Sequence, residues 1–449
     1  MRIAKLWSIF VSAALVAGLA GIGGATPASA GTVSGAPACG TTVTISITLT
    51  ADIGPCSGDG LIIGADKVSI NLNRHTISGD GNYENGVQVG IRMTDRLLAR
   101  VKGPGTIKAF NAGVAIEGGA RNSVTGITAT LNKSCNSDAV PTPDVCLNNN
   151  MGDGILMVSS ITNQVRSNTV TFNSNPNVDN VNNGSSGGNG GISMIYGSSN
   201  NFVVGNTVTD NANTGIRVEA GGGVKNVIES NAILRNSGNG VNLHFSAADN
   251  RVVNNDIENN KLNGVLTFLG AARNAISGNV VKGSGLAGIN VGSELNTVTN
   301  NAVIANATNG IFLTGGYAIL QDDGSIGDFV RRGNVVQENA VRGNGRNGIV
   351  VGCAKDFVSS DPALASKCLR TTYDDAAGNP ISLAENDRIL MNAANGNGGP
   401  TAGTLTRDGS GNPTGTFDLL DQNEVPPCDS NTWSGNVAST AYPACTLTP

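Results

Sequence analysis

Between Asn201 and Leu313 the apolar residues fall in short pairs two apart, and the polar residues between them recur at a fixed interval. The unit reads Asn, four residues, Asn, four residues, Asn or Ser, three residues, Gly, then apolar-x-apolar. The first Asn is Asn201, Asn226, Asn250, Asn274 and Asn296, and the second is Asn206, Asn231, Asn255, Asn279 and Asn301. The third position is Asn211, Asn236, Asn260, Ser284 and Asn306, and the Gly is Gly215, Gly240, Gly264, Gly288 and Gly310. Steps between the glycines are 25, 24, 24 and 22 residues. A fixed period in this range marks stacked repeats, each one supersecondary unit.

Aliphatics two after the first Asn are Val203, Ile228, Val252, Ile276 and Val298; two after the second they are Val208, Ile233, Ile257, Val281 and Val303. After each Gly come Ile216, Val241, Val265, Ile289 and Ile311, then, two further on, Val218, Leu243, Thr267, Val291 and Leu313. Alternation at i, i+2 is the strand period, and no helical period is sustained. Each repeat therefore predicts three short strands, with turns at the Asn and Gly positions. Stacking them gives an all-β solenoid of about ten or more coils, roughly 4.8 Å apart. Each inward aliphatic contributes roughly 1.5–3 kcal/mol of burial. Asn and Gly are expected at the corners because they tolerate left-handed backbone. Asn amides on successive coils are expected to bond into ladders. A left-handed hexapeptide helix fits less well, since spacing within the coil is uneven. Pentapeptide repeats fail at the four-residue step to Gly.

Outside this block the pattern divides the chain into four stretches. Residues 1–30 carry Arg2 and Lys5, an apolar run from Leu6 to Ala20, and Ala28-Ser29-Ala30 before Gly31: a signal peptide, too short in its apolar run for a comfortable membrane span. Residues 31–110 read as an N-terminal cap and irregular first coils, 111–352 as regular coils with insertions, and 353–449 as an insertion, last coils and C-terminal cap. The expected product is exported and released, with no membrane association after the leader is removed, and monomeric.

Composition narrows the function classes. With Gly at 62 of 449 residues and charged residues at 14%, the chain is turn-rich, but its ordered aliphatics exclude disorder. Net charge is −5, and no basic tract or aromatic-basic interleaving points to nucleic acid. Eight Cys fall into four local couples, separated by 17, 11, 15 and 17 residues, where the repeat is interrupted or ends. Neighbour pairing is expected: Cys39–Cys56, Cys135–Cys146, Cys353–Cys368 and Cys428–Cys445. A Cys metal site is disfavoured, since no C-x-x-C occurs and there are only two His. After Leu313 a loop, 315–333, interrupts the repeat and gathers Asp322, Asp323 and Asp328 beside Arg331 and Arg332. Such oxygens suit Ca²⁺, but the spacing matches neither the EF-hand nor the glycine-rich nonapeptide pattern, so a solvated turn is the first reading and no cofactor is expected.

The N-x-[VI]…GN-x-[VI]…N…GI-x-[VL] coils resemble the right-handed parallel β-helix repeat proteins of the pectin-lyase-like fold. The resemblance covers residues 60 to 440 and speaks for fold, since that fold carries many activities. The phrase INLNRHTISG around His75 resembles the first coils of family members, where His75 reads as a turn residue. The phrase DLLDQNEVPPCDSNTWSGN resembles their closing coils, with Trp433 capping the core. The resemblance implies a polysaccharide partner lying along an outward sheet face. The Asp-Pro-His-Asp motif of mannuronan epimerases is absent, as are the Asn-Thr-Asp and Gly-His-Gly motifs of polygalacturonases. Copper handling, as in the related accessory proteins of nitrous oxide reductase, is disfavoured by six Met and two His.

Stacking turns period into columns. Two after the Gly the outward residues are Leu156, Ser193, Arg217, Asn242, Leu266 and Asn290; four after, they are Val158, Ile195, Glu219, His244, Phe268 and Gly292. Glu219 and His244 are thus expected one coil apart, with Arg217 and Asn242 beside them and Tyr196 and Phe268 flanking as substrate contacts. Such a site suits β-elimination or C5 epimerisation of a uronate: His244 as base, Glu219 orienting it, Arg217 and Asn242 on the carboxylate. Two-carboxylate glycoside hydrolysis is weaker, because only Glu219 is a good member. The plainer reading makes Glu219–His244 a surface cross-coil pair of little energy. Three functions stay open: a secreted lyase or epimerase, a non-catalytic glycan-binding or cell-surface protein, and an inert structural solenoid.

Overall fold

The computed structural model describes residues 31–32, 37–83, 87–134, 152–174, 190–219, 223–314, 317–320, 326–329, 332–352, 355–356, 373–374, 380–381, 386–407, 413–422 and 431–447. In each repeat the three apolar pairs become three short strands, and like strands of successive coils pair in parallel. Among the described residues this builds three sheets of 14, 13 and 14 strands, with no α-helix. Sheet I holds the strands after the first Asn, such as Phe202–Val204 and Val227–Glu229. Sheet II holds those after the second, such as Thr207–Thr209 and Ala232–Leu234. Sheet III holds those after the Gly, such as Thr214–Glu219 and Val241–Leu243. Register follows the repeat, so Val203 pairs with Ile228, Val208 with Ile233, and Ile216 with Val241. The chain is thus a right-handed-type parallel β-helix solenoid, with one inward aliphatic core running from Val43 to Trp433.

The corners differ from expectation in which residue takes the left-handed backbone. The ladder Asn does not. The residue just before it does: Asn200, Asp210, Lys225, Ser230, Arg235 and Asp249 all have positive φ. The ladder Asn instead uses its side chain. Asn231 Nδ2 donates to Asn255 Oδ1 at 2.9 Å and to the Val203 carbonyl at 2.9 Å, and its N–H donates to the same Oδ1 at 3.0 Å. All three ladders are buried and bonded this way over most of their length. The column Gly is needed for close approach instead. A Cβ on Gly240 would stand 2.5 Å from Ile257 and 2.6 Å from the Gly264 carbonyl.

Cys39 and Cys56 form the expected bridge, with Cα atoms 5.5 Å apart. The other three couples each include residues outside the described ones. Within 315–333, expected as a loop, Tyr317–Leu320 and Ile326–Phe329 pair as antiparallel strands, and Tyr317–Leu320 also pairs with Lys355–Asp356. Sheets I and II expose their outer faces, while sheet III is buried in its middle coils, where Gly190–Ile195 and Thr214–Glu219 are buried at all six positions each, and opens further along, where Leu266 and Asn290 are half-buried.

Candidate functional site

The outer face of sheet III carries the predicted cluster. Parallel register sets Arg217 beside Asn242, and Ser193 beside Arg217 on the other side. The same register places Ile195 beside Glu219. His244 follows the end of its strand, its N–H donating to the Val218 carbonyl at 2.9 Å. The expected neighbours are therefore together. Arg217 Nη1 donates to Glu219 Oε2 at 3.2 Å, and His244 Nδ1 lies 3.9 Å from Glu219 Oε1.

The environment differs from the sequence expectation. Arg217, Glu219, Asn242 and His244 are all buried, with exposures of 0, 4, 2 and 1%. The plain reading of a surface cross-coil pair is overturned, because alternation fixes which side of a strand a residue faces, not what covers that side. Phe268 is half-buried and stacks on His244, ring centroids 5.7 Å apart at 22°. Tyr196 is 49% exposed at the corner beyond Ile195.

Two members escaped the sequence reading. Asp153, two coils before Arg217, is fully buried; its Oδ1 accepts from the Ser193 hydroxyl and from Gly190 N–H at 2.7 Å, and its Oδ2 lies 3.9 Å from Arg217 Nη2. Ser193 Oγ also accepts from Arg217 Nε at 2.7 Å. Phe245 meets the His244 ring edge-on, centroids 4.0 Å apart, while 42% exposed. A sequence signal for Asp153 existed. Asp59 and Asp153 each precede a column Gly, and Arg92 and Arg217 each stand two after one.

Burial sets the electrostatics. It pushes the Asp153 carboxyl up, against the Arg217 charge and the Ser193 hydroxyl. It pushes Glu219 up, again opposed by Arg217. It pushes His244 down to about 4, so the imidazole is neutral at neutral pH. One cation thus faces two buried carboxyls and a neutral base. A second group on the same face provides a contrast. Arg92 Nε donates to Asp59 at 2.6 Å and Nη1 to Glu117 at 2.6 Å, and Thr94 Oγ1 donates to Glu117 at 2.9 Å. In the Arg217 group, Asp153 Oδ2 and Asn242 Oδ1 are buried without a hydrogen-bond partner among the described residues.

The other candidates lie elsewhere. His75 sits just after a turn at Asn73-Arg74, Nδ1 3.2 Å from Asp52 Oδ1, as a turn residue. Asp322 and Asp323 fall outside the described residues; Asp328 pairs with Ala318 in the hairpin. Among the described residues no three or more His, Cys, Asp or Glu are grouped to hold a metal ion. No described helix is long and apolar enough to cross a membrane.

Comparison with curated proteins gives no match. Solved structures of similar shape include a double mutant of the periplasmic alginate epimerase AlgG, 12% identical over 71% of this chain and 71% of that one, TM-score 0.47. The A-module of Azotobacter vinelandii mannuronan C-5 epimerase AlgE4 is 12% identical over 73% of this chain and 86% of its own, TM-score 0.43. The catalytic domain of a GH87 alpha-1,3-glucanase in complex with nigerose is 11% identical over 94% and 63%, TM-score 0.40. Each likeness is one of fold alone. The sequence profile described as "right handed beta helix region" matches residues 147–281 and 220–414, together more than half of the 449 residues. With three parallel sheets and that match in hand, the chain belongs to the right-handed β-helix family.

Proposed function

We propose that this chain is an exported protein that binds an acidic polysaccharide at the outer face of sheet III. Arg217 receives the carboxylate of a uronate unit, and Asp153 and Asn242 accept from its hydroxyls. The observation that carries this reading is the pair of buried acceptors, Asp153 Oδ2 and Asn242 Oδ1, that flank Arg217 and have no hydrogen-bond partner among the described residues. An unsatisfied buried acceptor costs about 1–3 kcal/mol. The Arg92 group on the same sheet closes with short bonds, so the fold is able to satisfy such a cluster. Under-satisfied polar groups persist where a ligand supplies the missing donors. Charged groups at this depth are costly to keep for bracing alone.

A second reading adds chemistry at the same place, and the neutral imidazole 3.9 Å from Glu219 favours it. His244 would take the proton from the carbon next to the carboxyl while Arg217 holds the developing negative charge. The released electron pair then either expels the oxygen on the neighbouring carbon, which takes a proton and leaves a double bond, or takes a proton back on the opposite face. An imidazole held near 4 is a weak base, so binding is the primary reading and catalysis the secondary one.

Titration calorimetry with polygalacturonate, alginate and neutral dextran tests both. Binding to a uronate polymer but not dextran is expected, and lost in Arg217→Ala. Asn242→Leu removes an unpaired acceptor, so it is expected to weaken binding while stability holds or rises. Wild-type protein that binds none of the uronate polymers overturns the proposal. A new absorbing double bond or an inverted uronate, lost in His244→Ala with binding retained, separates the second reading from the first.

A further inference from the structure

The corner where sheet III ends carries two exposed aromatics at equivalent positions. Tyr196 follows Ile195, and Phe245 follows His244, each five residues after its column Gly. The two lie two coils apart, on the order of 10 Å along the solenoid, and they bracket the coil of Arg217 and Glu219. Tyr196 is 49% exposed and Phe245 42%. This chain is only 4% aromatic, so two exposed rings at one corner is a concentrated feature.

Backbone conformation makes their presence more pointed. Tyr196 has φ of 50° and Phe245 of 44°, in the left-handed region. Ser159 and Leu269, at the same corner in other coils, share it, with φ of 48° and 46°. Most described coils share this conformation at the corner, Ser293 being an exception, and a small or polar residue would adopt it at less strain. Bulky rings held there and left half in water are not serving the core. A strained bulky residue left largely exposed is grounds for a functional hypothesis.

The ring of Phe245 also joins the candidate site directly, touching the His244 imidazole edge-on at 4.0 Å. One side chain thus spans from solvent to the buried base. Sugar rings present apolar C–H faces, and an exposed aromatic face covers them at little entropic cost.

We infer that Tyr196 and Phe245 form an aromatic rim on which sugar units flanking the Arg217-bound uronate stack, so that the site reads several residues of a polymer running along the solenoid axis. This rests on the uronate-binding reading above.

The test compares a digalacturonate with a hexagalacturonate by calorimetry, with oligomannuronates of the same lengths as the second probe. Wild type is expected to bind the hexamer far better than the dimer. Tyr196→Ala and Phe245→Ala should each lower hexamer affinity about five- to tenfold, on the scale of 1–1.4 kcal/mol, with dimer affinity changed little by Tyr196→Ala. Phe245→Tyr and Tyr196→Trp should restore most of the loss, which a merely structural role would not predict. Hexamer binding that is abolished by Arg217→Ala yet untouched by either aromatic variant overturns the rim and leaves the uronate reading standing. Absence of wild-type binding to every probe removes both.

Discussion

Arg217 is the largest of the side chains that are fully buried among the described residues, and its neighbours Asp153 and Glu219 are acids buried beside it. Their behaviour with pH follows from burial, and His244 gives the cleanest handle. Its pKa falls from 6.5 to about 4 on folding, because burial disfavours the charged ring. A depressed folded pKa means the contribution to stability is complete above 6.5 and is lost as pH falls from 6.5 through 4. The full loss is on the order of 3 kcal/mol. Asp153 and Glu219 act in the opposite sense: their raised pKa values add stability at low pH that disappears as pH rises through the folded values. Urea denaturation of wild type against His244→Gln isolates the imidazole, since the carboxyls are common to both. The two stabilities should diverge between pH 6.5 and 4, with wild type falling relative to the variant. Parallel curves over that window would mean that His244 is not buried as a neutral ring.

At the scale of strands and ladders, what was legible in the sequence is what a parallel stack copies directly from period into space. Inward columns, the Arg217–Asn242 register and the Asn ladders all followed from counting residues, because each coil repeats its predecessor. Three things did not follow. The left-handed corner residue is Asn or Gly in some coils, as at Asn254 and Gly278, but Asp, Lys, Ser or Arg in others, so composition marks it only in part. Cover over sheet III depends on what lies outside the period. Asp153 reaches Arg217 over a sequence separation of 64 residues that includes an insertion, so the column had to be counted through a break. Ser284 is where the ladder itself is imperfect. Its Oγ is buried with no partner among the described residues, while Asn260 Nδ2 donates to the Ile233 carbonyl and Ser284 N–H to Asn306 Oδ1. Ser284→Asn should extend the amide ladder from Asn260 to Asn306. At roughly 1 kcal/mol net per buried bond, a gain of about 1–2 kcal/mol in unfolding free energy is expected, read from the urea midpoint. A lower midpoint would show that the column is too tight there for the two extra heavy atoms, Gly264 being already close to Ser284.

For the whole molecule, stability is a chain of nearest-neighbour interfaces, so the last coil has half the support of an interior one. The sheets end on Thr432–Ser434, Val437–Ala438 and Ala441–Tyr442. The terminal inward position of sheet I is Trp433, in register with Ile389 and then Val336. A Trp where earlier coils use Ile or Val closes the open cross-section with one side chain, and it is 4% exposed. Its Nε1 donates to Asp421 Oδ2 at 3.1 Å, which also accepts from Asn431 at 3.3 Å, so the ring is pinned to sheet III as well. A short helical turn at Ala444–Leu447 packs over the last strands of sheets I and III. Truncation of a buried Trp costs about 3–5 kcal/mol, but in a one-dimensional stack that loss stays local. Trp433→Ala should therefore leave coils 201–313 protected in hydrogen exchange while amides from 386 to 442 exchange faster. The loosened end would present three unpaired sheet edges, which template pairing with another copy. Light scattering should accordingly show concentration-dependent association in the variant and not in wild type. Uniform loss of protection along the solenoid, with no association, would instead make Trp433 one more core residue of a globally cooperative fold and remove its role as the end cap.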